Sequence, residues 1–438
     1  MTQPREASAR ERRFDGYVKR LTAVLGHADR AKPLRDYCTG LLLPGERKSV
    51  EPMAARLQPD NVRRWHQSLH HFVATAPWSD EAVLRAVREY ALPRMQRPGA
   101  IQVWIVDDTG FPKKGDHSVG VARQYCGQLG KQDNCQVAVS LSVAHRQASL
   151  PVAYQLYLPK SWAEDQPRRR EAGIPEEVVF RTKPEMALEQ IRWAVAEKLP
   201  CGIVLADAAY GNDTAFREGI STLQLRYVVG VSGTTTVWPP GQAPLPPRRR
   251  PGRGRPPTRL RRDQEHQPVS LAELAKSLPV SAFRPVSWRE GTGGVLRSRF
   301  AAVRVRPAHR DHLRKQGRSE EWLLIEWPEP SREPIQYWLS TLPASTSLGR
   351  LVDCAHLRWR VERDYQDLKQ ELGLGHFEGR GWRGFHHHAT LCLAAYAFLV
   401  AERAAFPPSG NLYWLREQTP RLPPGFQARG SPRQSRTA

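Results

Sequence analysis

The stretch Ile101–Gly110, IQVWIVDDTG, constrains the fold more than any other part of the chain. Successive side chains of a strand point to opposite faces, and both alternating sets are apolar here: Val103 with Ile105, and Trp104 with Val106. A strand that is apolar on both faces belongs in the middle of a sheet that is covered on both sides. We therefore predict a central strand that ends at an acidic turn.

The segments that follow predict a mixed α/β order of three strands, helix, strand, helix and strand. The further candidates are the strands Gln136–Ala144 and Val152–Tyr157, the helix Thr182–Leu199 capped by Thr182, and the strands Ile203–Ala206 and Tyr227–Val231. This order fits an antiparallel edge followed by parallel crossovers. It places Asp107 and Asp207 at strand ends, where ligands and metals bind in open α/β sheets.

A second informative stretch is Asp353–Lys369, which has helical periodicity. Its apolar face is formed by Cys354, Leu357, Val361, Leu368 and Leu372. Arg358, Glu362 and Lys369 are spaced four and seven apart, so on one continuous helix they project the same way. A carboxylate between two cations indicates a site for phosphate or metal. A surface ladder of ion pairs is the alternative interpretation.

The charge of the chain indicates a polyanionic partner. Its 438 residues carry 66 Lys and Arg against 44 Asp and Glu, a net charge of +22. Nucleic acid is the simplest such partner, and a membrane surface is the weaker interpretation. The six cysteines form no CxxC pair and no zinc-finger spacing, which fits a reducing cytoplasm. No run reaches the roughly 18 apolar residues of a membrane span, and the charged N-terminus has no signal core.

The remaining segments predict a disordered arm over 1–13, a helical, DNA-binding domain over 14–97 and a first part of the core over 98–237. These are followed by a Pro/Arg-rich basic linker over 238–268, a β-rich insertion over 269–345, the last part of the core over 346–405 and a disordered tail over 406–438. Within the helical domain, Lys48–Phe72 resembles a helix-turn-helix in outline, and a small helical packing domain is an equal alternative. Ser49 and Asp60 are the expected N-caps. In the linker, RGRP at Arg253–Pro256 resembles an AT-hook core, but a plain basic linker is favoured.

Three acids, Asp107, Asp207 and Glu362, have the chemistry that two-metal phosphoryl transfer needs. Two Mg²⁺ ions roughly 4 Å apart activate the attacking and leaving oxygens of a phosphate. Such hard cations prefer carboxylate ligands. The acids alone also fit ordinary aspartates at the ends of buried strands.

The order of several motifs resembles the DDE insertion-sequence transposases. The similar blocks are VDDTGFPKKG (Val106–Gly115), VGVARQYCGQLGKQDNCQVAV (Val119–Val139), LADAAYG (Leu205–Gly211), Arg358-x3-Glu362-x6-Lys369 and LKQELGLGHFEGRGWRGFHHH (Leu368–His388). The resemblance spans roughly 41–400. Arg358, Glu362 and Lys369 match the last three letters of the family's Y-R-E-K signature, whereas Ala355 stands where its tyrosine would be.

The resemblance implies an RNase H-like mixed-sheet catalytic core, with the β-rich insertion between its second aspartate and its glutamate and the all-helical domain before it. Asp107, Asp207 and Glu362 would be the catalytic residues and would bind two Mg²⁺ ions, with Mn²⁺ as a substitute. Asp108 is the rival of Asp107, because neighbours on a strand face opposite ways.

The implied substrate is double-stranded DNA. Arg358 and Lys369 would hold phosphates of the transposon end. Further DNA contacts are expected from Lys113, Lys114, Arg123, Arg253, Arg255, Arg380 and Arg383. For Trp359 and Trp382 we favour ordinary packing over base stacking. The row His386–His388 is interpreted as a phosphate-facing helix start.

The expected activity is cutting at terminal inverted repeats and joining of 3′-OH ends to target DNA. It implies a homodimer at synapsis, no nucleotide cofactor, and a location in the bacterial cytoplasm at the nucleoid. A non-catalytic DNA-binding protein derived from a transposase and a structure-specific nuclease on the same core are the alternatives.

Overall fold

The computed structural model describes residues 3–247, 258–291 and 294–407. Arg253, Arg255 and residues 408–438 of the predicted tail lie outside the described residues. The chain divides into two compact units. The first unit comprises Met1–Ala100, Asp108–Arg181 and Arg360–Ala438, and the second comprises Ile101–Asp107 and Thr182–Trp359.

Five helices precede the first strand: α1 (Gln3–Ala23), α2 (Ala31–Leu42), α3 (Val50–Leu57), α4 (Val62–His70) and α5 (Asp80–Met95). The chain then forms β1 (Val103–Pro112), β2 (Ala122–Cys126), β3 (Lys131–Ala144), β4 (Ser149–Leu156), α6 (Lys160–Ala163), α7 (Gln166–Glu171), α8 (Lys183–Ala196), β5 (Ile203–Ala206), α9 (Ala208–Gly211), α10 (Thr214–Thr222) and β6 (Tyr227–Val231).

The later elements are β7 (Thr236–Trp238), β8 (Val269–Ser270), α11 (Leu271–Ser277), β9 (Arg284–Gly291), β10 (Gly294–Pro307), β11 (Glu321–Glu326), β12 (Gln336–Ser340), α12 (Leu348–His356), α13 (Trp359–Gln366) and α14 (Trp382–Ala405). Two π-helical turns, His71–Thr75 and Asp367–Glu371, continue α4 and α13.

In the first unit, helices pack around α14, and β3 pairs antiparallel with β2 and β4. The α14 side chains are buried along almost its whole length, as its apolar sequence predicts. The Tyr17 hydroxyl of α1 donates to Ala394 O at 2.8 Å, and Arg13 forms a 2.6 Å ion pair with Glu402. The predicted disordered arm is therefore wrong for residues 3–13, which form the start of α1. Their Ala, Glu and Arg content favours a helix.

In the second unit, the first half of β1 is parallel to β5, and β5 is parallel to β6. β12 is antiparallel to β6, and β11, β10 and β9 continue this mixed sheet. The predicted α/β fold class, with a large mixed sheet and N-terminal helices, is confirmed. Val103–Val106 are buried on both faces, as expected of a central strand.

Local signals of the sequence account for most helix starts. Thr182 and Ser270 each form a capping box with the glutamate three residues on, which confirms the predicted cap at Thr182. The N-cap of α4 is Asn61, one residue after the predicted Asp60, because Pro59–Asn61 form a 3₁₀ turn. The part of the chain that the structure describes contains no helix long and apolar enough to cross a membrane.

The described flanks of the predicted 238–268 linker pack within the second unit, which corrects the expectation that this segment does not pack. Leu245 and Arg261 form an antiparallel bridge, and Leu260 is buried. Arg262 forms an ion pair with the buried Asp311, whose other oxygen accepts from Trp238 Nε1 at 2.6 Å. The composition of the segment did not predict this packing, because the residues that its flanks contact lie elsewhere in the chain.

Candidate active site

Two of the predicted acids follow the paired segments of neighbouring parallel strands in the central sheet. Val103 pairs with Ile203 and Ile105 with Leu205, a constant offset of one hundred residues. The same offset carried two residues further aligns Asp107 with Asp207. Residues in register on parallel strands project to the same face, so this offset predicts that the two carboxylates lie on one side of the sheet.

The surroundings of Asp107 and Asp207 differ. β1 continues to Pro112, so Asp107 lies within a strand and not at its end, which corrects the prediction. The pairing of β1 with β5 stops at Ile105. Asp207 follows β5 directly and is the N-cap of α9, where its Oδ1 accepts from Ala209 N at 2.9 Å. That hydrogen bond fixes the Asp207 side chain.

Arg358 is bound to Asp107. Its Nη1 lies 2.7 Å from Asp107 Oδ2, and the two side chains are only 26% and 13% exposed. An ion pair this far withdrawn from water is held more firmly than a surface pair. The guanidinium that was predicted to hold a transposon phosphate therefore neutralises the first aspartate.

Asp108 belongs to the first unit and is half-buried. The offset of one hundred residues makes Asp107 the counterpart of Asp207, and the choice of Asp107 over Asp108 as the ligand stays a prediction.

The predicted row Arg358, Glu362 and Lys369 does not lie on one continuous α-helix, which corrects the sequence analysis. α12 ends at His356, Arg358 lies in the turn before α13, and Lys369 lies in the π-helical turn. The apolar spacing runs through both irregularities, so it does not reveal them. Ala355, at the position of the missing tyrosine, is buried.

Glu362 is an exposed residue of the first unit on α13. The opposite face of α13 is anchored: Ser149 Oγ and Tyr396 OH both donate to Asp364 Oδ1, at 2.6 and 2.7 Å. Burial raises the pKa of Asp364 to about 6. The sequence analysis missed this network. The one feature of the sequence that indicates it is the position of Asp364, a carboxylate on the apolar side of the helix, two residues from Glu362.

Lys369 is held within the first unit. Its Nζ donates to Gly110 O at 2.7 Å and to Gln128 Oε1 at 3.1 Å, and burial lowers its pKa to about 8. Lys113 Nζ donates to Phe377 O at 2.9 Å, and burial lowers its pKa as well. Neither lysine is a simple surface charge.

The other predicted DNA contacts in the described chain are exposed: Lys114, Arg123, Arg380 and Arg383. Arg383 Nη1 donates to Thr75 O at 2.9 Å. Among the described residues, no group of three or more His, Cys, Asp and Glu is arranged to hold a metal ion. The roles of Asp107, Asp207 and Glu362 as metal ligands therefore remain predictions.

Comparison with known proteins gives a family match that contains Asp107 and Asp207. A family model described as DDE superfamily endonuclease matches residues 20–295, more than half of the chain. The chain belongs to the DDE superfamily endonucleases. The match contains Asp107 and Asp207 and ends before Glu362, and with it the expected RNase H-like core is confirmed.

This DDE family member is also similar to a Microchaete diplosiphon protein named as the probable transposase for insertion sequence element IS701. The two are 30% identical over 232 residues, which are 53% of this chain and 57% of the relative. The chain thus matches little more than half of that relative's length. The resemblance to the DDE insertion-sequence transposases is confirmed.

The histidine row of this DDE family member is buried, so its interpretation as a phosphate-facing helix start is wrong. α14 begins at Trp382, which puts the histidines beyond its first residues. His388 Nδ1 lies 2.8 Å from Tyr37 OH, and its Nε2 lies 3.0 Å from Gly373 O. His387 stacks on Trp78 with ring centroids 3.5 Å apart. These contacts tie α14 to the N-terminal helices.

Proposed function

We propose that this protein is the DNA transposase of an insertion sequence. It binds the terminal inverted repeats of its element, cuts DNA at the ends, and joins the 3′-OH ends to target DNA. The observation that carries the proposal is the parallel pairing of the two strand segments that precede Asp107 and Asp207 in a DDE family member. The net charge of +22 supports DNA as the partner.

The donor set of the proposed site fits Mg²⁺. Asp107, Asp207 and Glu362 would supply the carboxylate oxygens that hard cations prefer, and Mn²⁺ would substitute. Bound metal would supply Lewis-acid stabilisation of the charge that develops on the phosphate oxygens.

The chain's own residues prepare this site. The ion pair with Arg358 orients Asp107, and the N-cap hydrogen bond orients Asp207. The anchoring of Asp364 fixes the face of α13 that leaves Glu362 in solvent. Because both ends of an element are joined together, we propose a DNA-bound homodimer that acts at the nucleoid in the bacterial cytoplasm.

A cleavage assay tests the proposed function. The purified chain is incubated with a labelled duplex that carries the element's own end, in Mg²⁺ or in EDTA. We expect nicking at the end in Mg²⁺ and none in EDTA. Specific binding without cleavage in Mg²⁺ or Mn²⁺ would contradict the catalytic part of the proposal. Cleavage that follows DNA shape and ignores the end sequence would identify a structure-specific nuclease.

The lowered pKa of Lys369 gives a pH test for its proposed phosphate contact. Its folded pKa of about 8 lies below the ordinary value of 10.5, so Lys369 loses its positive charge as the pH rises through about 8. We expect the affinity for the end to fall about tenfold between pH 7 and 9.5, the worth of one charged hydrogen bond. Lys369→Arg stays charged, so its affinity should fall less. Equal losses in both proteins would show that Lys369 holds no phosphate.

A further inference from the structure

Two consecutive helices of the first unit, α3 and α4, have the dimensions of a DNA-reading motif. α3 has 8 residues, the connection Gln58–Asn61 has four, and α4 has 9. In a helix-turn-helix, two short helices are joined by a turn of three or four residues, and the second enters the major groove. The sequence left this arrangement open against a plain helical packing domain.

The inner face of α4 is fixed against α2. Leu69 is fully buried. Trp65 Nε1 donates to Asp36 Oδ2 at 3.0 Å, and Lys32 Nζ lies 4.5 Å above the Trp65 ring and 3.1 Å from Asp36. These contacts determine which face of α4 is left for solvent.

The helices α2 and α3 approach closely at Gly40. A Cβ atom at this position would lie 2.9 Å from Met53 Sδ, so only glycine fits without a shift. The close approach packs α2 and α3 together as the support for α4.

The outer face of α4 and its π-helical turn is polar and exposed. It carries Arg63, Arg64, Gln67, Ser68 and His71. In the described part of the chain, no hydrogen bond or ion pair occupies the side chains of Arg63, Arg64 or Gln67. Neither α4 nor the turn contains an acid. These exposed side chains can therefore donate hydrogen bonds to a ligand.

The chemistry of this face matches base edges. Arginine binds the O6 and N7 of guanine with two hydrogen bonds, and glutamine binds the N6 and N7 of adenine. Arg63, Gln67 and His71 are spaced four apart, so they form one row along the helix. α4 with its π turn is about 20 Å long and fits a major groove about 12 Å wide. The deep, narrow major groove of an RNA duplex does not admit such a helix.

We infer that α4 is the helix that reads the sequence of the element's ends. Arg63 and Gln67 contact base edges in the major groove, while Arg64 and Ser68 contact bases or phosphates beside them. α3 lies across the DNA backbone. This inference rests on the proposed function, because it assigns the recognition of the ends to named residues.

Selection from a random duplex pool tests the inference. The full-length protein is compared with Arg63→Ala and Gln67→Ala, and Arg85→Ala on α5 is the matched control, since Arg85 is equally exposed in the same unit. Circular dichroism checks that all variants are folded. We expect each α4 variant to lose base preference at its own position and to bind the selected site roughly 10- to 100-fold more weakly. Binding to random DNA and the behaviour of Arg85→Ala should change little.

A change of preference gives a sharper readout. Gln67→Arg should replace a preferred adenine by guanine at one position, which a merely structural role of Gln67 cannot produce. If the wild-type protein selects a motif and both alanine variants select the same motif with the same affinity, this inference alone is overturned. If the wild-type protein selects no motif, the inference and the recognition of ends by the proposed transposase are overturned together.

Discussion

Asp107→Asn and Asp207→Asn are each expected to lower the rate of end cleavage by on the order of 10³-fold or more, about 4 kcal/mol of transition-state stabilisation. Asparagine keeps the shape of aspartate and removes the negative charge that a divalent metal requires. Asp207→Asn also retains the N-cap of α9, because asparagine caps as well as aspartate. Loss of activity in this variant would therefore report on chemistry and not on folding.

The matched control for Asp107 is its neighbour. Asp108→Asn should cleave within about threefold of the wild-type rate, because the alignment with Asp207 selects Asp107 and strand alternation turns Asp108 to the other face. Glu362→Gln should lose cleavage to the same extent as the two active-site variants. A gel assay on a labelled end gives the rates, and a mobility shift in EDTA checks that binding of the end persists.

Three outcomes would contradict this assignment. Cleavage by Asp107→Asn together with its loss in Asp108→Asn would make Asp108 the ligand. Retained cleavage in Glu362→Gln would remove Glu362 from the site. Loss of folding in Asp107→Asn would show that its ion pair with Arg358 is chiefly structural, and a melting curve separates this case from lost chemistry.

The sequence predicted the central sheet well because its signals there are local. Only a strand buried on both faces fits the apolar run Val103–Val106, and these residues are buried in the structure. The start of α8 was predicted correctly because the capping box of Thr182 lies within four residues. Such signals do not depend on distant parts of the chain.

The predictions were wrong where contacts between residues far apart in the sequence determine the local structure. The break at Leu357–Arg358 leaves the apolar spacing intact, and Arg358 has as its partner an aspartate 251 residues earlier. The arm over 3–13 folds because its helix reaches Glu402, and the linker flank folds because Arg262 finds Asp311. A pattern within the segment cannot report a partner elsewhere.

The prediction for His386–His388 was wrong for the same reason: contacts with distant residues determine their surroundings. Three adjacent histidines near a helix start resemble an anion site, but their neighbours include Tyr37, Trp78 and Gly373 from distant parts of the chain. Gly373 adopts a φ of 67° and approaches Lys48 so closely that a Cβ would lie 2.7 Å from it. This turn returns the chain to α14 and buries His388.

Acidification is expected to destabilise the first unit through His388. Burial lowers the His388 pKa from 6.5 to about 4, and the nearby His376 and Lys113 lower it further. The neutral ring fits its partners, because Tyr37 can donate to Nδ1 while Nε2–H donates to Gly373 O. Between pH 6.5 and 4, His388 is protonated in the unfolded chain and stays neutral in the folded protein. The free energy of unfolding therefore decreases as the pH is lowered through this range. The loss amounts to about 3 kcal/mol at pH 4.

Melting temperatures between pH 7 and 4.5 measure this effect. A loss of about 3 kcal/mol corresponds to roughly 6–12 °C for a unit of this size. His388→Gln removes the titration, so its melting temperature should be lower at pH 7 and fall less steeply with acidification. His117→Gln, in an exposed loop after β1, should keep the wild-type slope. Equal slopes for wild type and His388→Gln would assign the acid sensitivity to other groups, of which His387, with a pKa of about 4, is the first to test.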